Sequence, residues 1–426
     1  MMLKSLCNQL FCGLACMLFI PGLQAAQTDH TDHADHPDHV PLEKSASLTF
    51  AEIYTTALNN APEILERDIR QQQVRSYAAI ADNWFSDRPN LQLSYFDDRV
   101  ADNTGMLEIE YAIQLQLKRP SELNNGRILS ESYLEQSQAW EQSLAHYIAG
   151  RVRSVLADIS EAEANLALEQ EASRNAEDLL GISTRLFDAG ELSRLDVMQA
   201  ENLLLEQRRI ELDAEAMLVD AERSYEVLTG LHIRPDYLHT ETLSEAEDIP
   251  DEHPQLLYLQ SDIQLADANI RMTEAQARGA PTVSLGSRRQ RGNSFQTFND
   301  SIALSLSIPF GGKNIVASKT SSARREKVDA EVIYQNTRRA LNQVLHEVEH
   351  ELYITGVALT LAETQKNLSE QRWQMSRTAF TQGEIALNQV IIALQENLSA
   401  QQKYELLILK EQRLITVYNQ TIGVMP

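Results

Sequence analysis

The 426-residue sequence predicts a mainly α-helical chain with a small β part, built from two matched halves. A stretch from Phe187 to Gly230 is repeated from Phe380 to Gly423 at a constant offset of 193 residues. Similarity over such a length indicates an internal duplication. Each half also has two segments of period-two alternation, typical of strands, followed by a long run of helix-forming residues.

The duplication extends over most of the chain. Pro62 and Pro254, each placed to begin a helix, recur at nearly the same offset. We therefore expect a first repeat at 45–231, a linker at 232–250 and a second repeat at 251–426. The pairs that share one offset are Phe187/Phe380, Gly190/Gly383, Glu191/Glu384, Val197/Val390, Ala200/Ala393, Leu205/Leu398, Tyr225/Tyr418 and Gly230/Gly423.

Residues 1–26 read as a secretory signal peptide. Lys4 supplies the positive charge, Leu10 to Ile20 is an apolar run too short for a comfortable membrane span, and Ala26 ends a small-residue cleavage site. The chain's three cysteines lie in this segment, so the mature protein is expected to have no thiol chemistry. A lipoprotein, with Cys16 as the residue that accepts the lipid, is the alternative.

Residues 27–44 form a polar leader rich in His and Asp. His30, His33, His36 and His39 recur at every third position, and an aspartate precedes each of them. Imidazole and carboxylate together suit zinc, cobalt, nickel or copper(II). The composition predicts a disordered segment that captures metal weakly and flexibly. A solvated leader without a role is the alternative.

Two hairpins are predicted, one in each half, at about 90–117 and about 282–308. Leu107 to Leu117 alternates apolar and polar residues almost without fault. We place Arg288, Arg289 and Arg291 in the loop of the second hairpin. The strands are long enough to cross a bilayer at a tilt. The alternative is a soluble four-stranded sheet whose apolar face covers a helical core.

Four strands in lipid would leave open edges, which hydrocarbon does not tolerate. Oligomerisation closes such a sheet, and a trimer would give a barrel of twelve strands. The apolar residues would then face lipid. Glu108, Glu110, Gln114, Gln116, Ser305 and Ser307 would face the barrel lumen.

A helix of about 67 residues is predicted after each hairpin, from Ser121 to Phe187 and from Lys313 to Phe380. Each would be about 100 Å long at 1.5 Å per residue. Gly190 and Gly383 reverse the chain at the two tips, and the returning helices end at glycine. The formal net charge of −24 argues against nucleic-acid binding and suits a conduit that does not repel cations.

With these elements in place, the chain resembles the TolC-like outer-membrane efflux proteins of Gram-negative bacteria over about residues 45–425. The resemblance implies a homotrimer, with a twelve-stranded barrel in outer-membrane lipid and an α-helical barrel in the periplasm. It implies passive export, in which Gly190, Glu191, Gly383 and Glu384 at the tips dock a periplasmic adaptor (a membrane fusion protein). An inner-membrane pump of the resistance-nodulation-division type would supply the energy.

Within this family the His/Asp leader resembles the cobalt–zinc–cadmium branch, which makes divalent metal the expected cargo. Family members narrow the periplasmic end with aspartates after the second tip. The matching residue here is Gln389, while the first tip has Asp196. Glu384 is a candidate substitute, so these three residues form a candidate constriction. A solvated charge on the helix is the alternative for Asp196 and Glu384.

Other functions are weighed against this expectation. His346 to His350 matches the H-E-x-x-H pattern of zinc proteases, but a third ligand and a cleft are also needed. We expect solvated histidines on a bundle helix, no enzyme activity and no cofactor. The remaining alternatives are the same tunnel exporting drugs or a secreted polypeptide, and a soluble periplasmic coiled-coil scaffold.

Overall fold

The computed structural model describes residues 41–425. In chain order its elements are β1 (Glu43–Ser45), α1 (Phe50–Asn60), α2 (Ile64–Ala81), β2 (Asn90–Asp97), β3 (Leu107–Gln116), α3 (Pro120–Asp188), α4 (Arg194–Thr229), β4 (Ile233–Pro235), α5 (Pro254–Ala277), β5 (Thr282–Arg291), β6 (Asn299–Ser307), α6 (Lys313–Thr381) and α7 (Leu387–Thr421). Each half thus contains a short helix, a hairpin, a long helix and a returning helix in the predicted order, and the first half has one further short helix, α1, before α2.

The two long helices match in length. α3 and α6 each have 69 residues, which is about 104 Å of helix at 1.5 Å per residue. Pro254 begins α5 at the predicted position. α2 begins two residues after Pro62, at Ile64, because a turn at residues 62–63 precedes it.

The helices form one layer. Next to the sheet, α2, α3, α5 and α6 pack side by side in that order, and farther along α4 packs on α3 while α7 lies between α3 and α6. α3 is therefore an interior helix and α6 an edge helix. Accordingly, α3 has 21 buried residues and α6 only eight.

The four-stranded sheet is antiparallel in the order β2-β3-β5-β6, so the β3–β5 pair joins the two halves. The strands have the same order as the helices next to them in the chain: β2 follows α2, β3 precedes α3, β5 follows α5 and β6 precedes α6. One sequence prediction is wrong here: Arg288, Arg289 and Arg291 belong to β5 and not to the loop. The strand continues because its backbone ladder with β3 runs on to Leu107, although both faces have become polar.

A short parallel pair, β1 with β4, lies beside the middle of the helices. β1 includes residues 43–44, which the sequence analysis assigned to the disordered leader. Buried ion pairs explain the difference: Arg234 of β4 donates to Glu222 at 2.7 Å and to Glu163 at 2.8 Å. Leu42 N donates to Glu222 at 3.0 Å, which fixes the start of β1 to α4.

The linker, residues 232–250, continues from β4 across α3 to the end of α7. Glu241 accepts from Arg153 on α3 at 2.7 Å, and Tyr418 on α7 donates to Ala246 O at 2.7 Å. The predicted signal peptide and His30, His33, His36 and His39 lie outside the described residues. Among the helices within 41–425, none is long and apolar enough to cross a membrane.

Candidate conduit and docking surfaces

The four-stranded sheet has an apolar face that no other part of residues 41–425 covers. Alternation along each strand and the register between strands bring these side chains together. Ile302 is 83% exposed and Leu304 74%, values opposite to those of a core strand. Exposed residues of this apolar face are Leu91, Leu93, Tyr95, Tyr111, Ile113, Leu285, Ile302, Leu304 and Leu306.

The opposite, polar face carries the residues that the sequence analysis assigned to a lumen. Glu110 pairs with Arg288, and Gln114 pairs with Ser284, which pairs in turn with Ser305. Register thus puts the six predicted residues on one face: Glu108, Glu110, Gln114, Gln116, Ser305 and Ser307. Whether that face lines a lumen remains a prediction.

Arg288 joins the two carboxylates of this face. Its Nε lies 3.0 Å from Glu108 Oε1, and its Nη2 contacts Glu110 Oε1. We call Arg288, Glu108 and Glu110 the charge triad. Sequence reasoning missed Arg288, although parity was a usable signal: residues 284, 286 and 288 alternate with Val283 and Leu285 of the apolar face.

The two predicted tips have the same backbone geometry. Gly190 and Gly383 have positive φ angles of 83° and 74°, which favour glycine. Glu191 N donates to Leu186 O, and Glu384 N to Ala379 O, each at 2.9 Å. These contacts complete a Schellman-type end that satisfies carbonyls at the helix C-terminus.

The two tips pack into one core. Its buried side chains come from four helices and are Ala176, Leu179, Ile182, Ala200, Leu203, Leu204, Trp373, Phe380, Leu387, Val390, Ala393 and Leu394. A methyl group on Gly383 would lie 3.9 Å from Glu191 Oε2, so the reversal points adjoin. Both glycines and both glutamates are exposed, which leaves this end free to contact a partner.

Asp196 has a local structural contact. Its Oδ2 accepts from Ser193 N at 3.0 Å, and Asp196 N donates to Ser193 Oγ at 3.3 Å, and these two bonds form a capping box at the start of α4. α7 has Ala386 as its N-cap residue instead, without a side-chain cap. Gln389 and Glu384 are exposed. The acidic constriction of the three residues stays a prediction, and the cap gives Asp196 a second reason to be acidic.

Comparison with known proteins finds likeness in structure alone. No protein-family model matches the sequence, and no curated protein matches it. CusC, solved in a study of transmembrane channel formation, has 13% identity and a TM-score of 0.71, covering 90% of this chain and 96% of that one. The outer membrane protein VceC of Vibrio cholerae has 14% identity and a TM-score of 0.69, covering 88% and 96%.

A third similar structure is the CmeC outer membrane channel of Campylobacter jejuni, with 14% identity and a TM-score of 0.68, covering 95% of this chain and 94% of that one. The chain has the outer-membrane channel fold. The solved structures that share this fold are those of channels and not of enzymes. At these identities the likeness extends to the fold over nearly the whole chain.

The outer-membrane channel fold leaves two apolar stripes uncovered at the edges of the helical layer. On α4, Met198, Leu205 and Leu212 recur at intervals of seven and are 53–65% exposed. On α6, Ile354, Leu361, Leu368 and Met375 also recur at sevens and are 50–73% exposed. A heptad repeat of apolar residues is the pattern of a coiled-coil seam. We call these stripes the α4 seam and the α6 seam.

The H-E-x-x-H match has no metal geometry in this fold. His346, Glu347 and His350 are exposed on α6, as expected for solvated helix residues. Across the described part of the chain, no group of three or more His, Cys, Asp or Glu side chains is arranged to hold a metal ion. The metal-binding prediction therefore rests on the leader.

Proposed function

We propose that the chain is the channel subunit of a tripartite efflux system in the outer membrane of a Gram-negative bacterium, exporting divalent metal cations passively. The observation that carries this proposal is the uncovered apolar face of a sheet with two open edges. Hydrophobic side chains that stay exposed over most of a sheet face mark a surface built for an apolar environment. The polar face then lies inside a closed barrel.

Closure requires more copies of the chain. Within residues 41–425, β2 and β6 each pair on one side only, and open edges are excluded from hydrocarbon. Three copies of a four-stranded sheet supply twelve strands, an even number within the range of outer-membrane barrels. β6 of one copy would pair with β2 of the next.

The helical layer supports the same closure. The α4 seam and the α6 seam lie on opposite edges of one chain, so the α6 seam of one copy can pack on the α4 seam of the next. A head-to-tail contact of this kind generates a ring when its rotation closes. Strands and helices then close around one axis, and the result is a homotrimer with a continuous hydrated tunnel.

The soluble scaffold is disfavoured by the sheet. A scaffold in water would need its apolar sheet face covered by its own helices, whereas Ile302, Leu304 and Leu306 are 83%, 74% and 63% exposed. The coiled-coil seams alone suit either function. The exposed apolar face of the sheet therefore supports the membrane barrel over the scaffold.

The tips supply the docking end of the proposed channel. Gly190, Glu191, Gly383 and Glu384 are exposed on one shared core, at the far end of the long helices from the sheet. We infer that a periplasmic adaptor binds there and connects the channel to an inner-membrane pump of the resistance-nodulation-division type. The pump supplies the energy, and the channel contributes a passive route.

The proposed cargo rests on the leader. His30, His33, His36 and His39 with their aspartates suit divalent transition metals. The described chain begins beside β1, which is fixed to α3 and α4 near the middle of the helices.

Membrane insertion is tested with a pair of adjacent substitutions on β6. Leu304→Arg puts a charge on the apolar face and should cost about 2–4 kcal/mol near the bilayer midplane. Ser305→Arg puts the same charge on the polar face. The measured quantity is the amount of each variant in the trimer that detergent extracts from the outer membrane. We expect this amount to fall for Leu304→Arg and to stay near the wild-type amount for Ser305→Arg. Wild-type protein released without detergent would contradict the proposal.

The cargo is tested in cells that lack the chain. Sensitivity to zinc, cobalt, cadmium, nickel and copper is compared with sensitivity to dyes and antibiotics. We expect these cells to be sensitive to divalent metals. The wild-type chain should restore tolerance, and the chain whose four leader histidines are replaced by alanine should restore less of it. Sensitivity to drugs alone would keep the channel and contradict the metal cargo.

A further inference from the structure

The polar face of the sheet has very few charges. Within β2, β3, β5 and β6, the residues whose register puts them on this face are almost all amides, hydroxyls or small side chains. Its charged residues are Glu108, Glu110 and Arg288, and these three contact one another. Each copy of the sheet therefore contributes two negative charges and one positive charge, all at one place.

We propose that the charge triad sets the ion selectivity of the barrel, favouring inorganic cations, with Arg288 limiting the strength of that preference. The inference rests on the proposed function, because it needs the polar face to line a lumen. Net charge at a ring in a pore is a known source of selectivity. Here the net charge is −1 for each chain, and Arg288 masks half of the acidic charge.

The triad stands beside open space. In the neighbouring cross-strand row, Ala112, Gly286 and Ala303 are three adjacent small residues, and Gln92 lies at the end of the row on β2. Small residues at this row leave a cavity of about 210 Å³ whose lining includes Glu110 and Arg288. An ion that passes along the polar face can therefore approach the charged groups directly.

The side chains are fixed by mutual contact. Glu108 and Glu110 keep 21% and 28% of their side-chain surface exposed, while Arg288 keeps 46%. Both carboxylates are partly exposed, so both can still attract a cation. A guanidinium that binds two carboxylates holds them in one geometry. Removal of Arg288 should release both charges to the solvent.

The test is the reversal potential of the full-length protein in a planar bilayer under a potassium chloride gradient. Arg288→Gln should raise the ratio of potassium to chloride permeability by about twofold to fivefold at 0.1 M salt or less. Glu108→Gln with Glu110→Gln should lower that ratio below the wild-type value. Both changes should shrink as salt rises, because screening weakens the field of the ring.

The matched control is Arg289→Gln, the next residue of β5 on the opposite face. It removes the same charge and should leave the ratio unchanged. Arg288→Lys keeps the charge and should stay near the wild-type ratio, which separates a charge effect from a folding defect. A shift with Arg289→Gln but not with Arg288→Gln would overturn the assignment of faces.

Failure of the inference can be told from failure of the proposed function. Conducting wild-type channels whose selectivity is the same in all triad variants would overturn the selectivity role alone. Wild-type protein that forms no conducting channel would overturn both. If the Arg288→Gln protein fails to assemble, the Glu108→Gln and Glu110→Gln variants still test the proposal. An unchanged ratio of potassium to chloride permeability in those variants would contradict it.

Discussion

His146 is held as a neutral imidazole by its neighbours. Arg153 Nη1 donates to Gln420 Oε1 at 2.6 Å, which fixes the orientation of that amide. Gln420 Nε2 then faces His146 Nδ1 at 3.2 Å, and His146 Nε2 lies 2.9 Å from Gln420 O. His146 Nδ1 must therefore accept a hydrogen bond from Gln420 Nε2, and His146 Nε2 must donate one to Gln420 O. A second proton on the ring would be on Nδ1 and would face the donor Gln420 Nε2.

Burial, together with the nearby ring of His253, lowers the pKa of His146 to about 4. The two ring centroids are 5.0 Å apart. Burial lowers the pKa of His253 as well. Arg153 adds positive charge from α3, and its partner Glu241 in the linker balances that charge. This site connects α3, the start of α5 and the end of α7.

These contacts predict loss of stability in mild acid. The unfolded chain, with an ordinary histidine pKa near 6.5, binds more protons than the folded chain between that pH and about 4. The free energy of unfolding should therefore fall as pH decreases through this range, by up to about 3 kcal/mol for His146. His146→Gln should weaken the pH dependence, as measured by denaturant unfolding from pH 7.5 to 4.5.

The control for this experiment is His346→Gln on the exposed side of α6. It removes one histidine without touching the network and should keep the wild-type pH dependence. The same slope in the His146→Gln variant would contradict the role of His146. A lower stability at pH 7.5 alone would not, because the prediction concerns the change with pH.

At the scale of elements, the two tips are alike in their glycine turns and different in their caps. Ser193 and Asp196 form the capping box of α4. At the offset of 193, the corresponding residues of α7 are Ala386 and Gln389, and both halves of the box are absent. Without a hydroxyl at position 386, an acidic residue at position 389 would have no capping box to complete.

The cap predicts an effect local to the first tip. Ser193→Ala should destabilise the start of α4 by about 1 kcal/mol, because it leaves an N-terminal N–H without its acceptor. Hydrogen exchange in the first turn of α4 should accelerate about fivefold. Ser224→Ala, the same change on the exposed face of α4, is the control and should not accelerate it.

The reverse design uses the second tip. Ala386→Ser with Gln389→Asp should build a capping box at the start of α7 and slow exchange there. If the designed acid instead alters conductance while exchange stays unchanged, the position acts through the pore and not through the helix end. The two readouts thus separate the cap from the candidate constriction.

At the scale of the whole molecule, assembly should depend on the α6 seam. Leu368→Glu puts a charge into the row that the next copy is expected to cover, and each tenfold loss of association corresponds to about 1.4 kcal/mol. We expect at least about a tenfold drop in the trimer fraction, measured by light scattering in detergent. Asn367→Glu, one residue earlier and outside the seam, should assemble normally.

An equal loss of trimer in both variants would mean that α6 tolerates no added acid, and would contradict a specific seam. Retention of the trimer in the Leu368→Glu variant would contradict packing of the α6 seam on a second copy. A rescue by Leu205→Lys on the α4 seam would support the pairing of these two edges directly.

Much of the architecture was predictable from local pattern. The repeat offset, the alternation in Leu107 to Leu117, and the glycines at 190 and 383 fix strands, long helices and turns, because each depends on residues close in sequence. The limits of α3 and α6 differ from their predicted limits by one residue at most. The six predicted residues of the polar face also share one face, since period two is a local property.

The tertiary structure decided what depends on contacts between distant residues. Arg288 reaches Glu108 and Glu110 only because β3 and β5 pair across the two halves, 180 residues apart in number, and no local pattern reports that pairing. His146 becomes a buried neutral imidazole only where Gln420 and Arg153 surround it. The sequence shows that residue 196 is an aspartate, but it does not show which group the carboxylate contacts. Asp196 is therefore the same in sequence whether it caps a helix or narrows a pore.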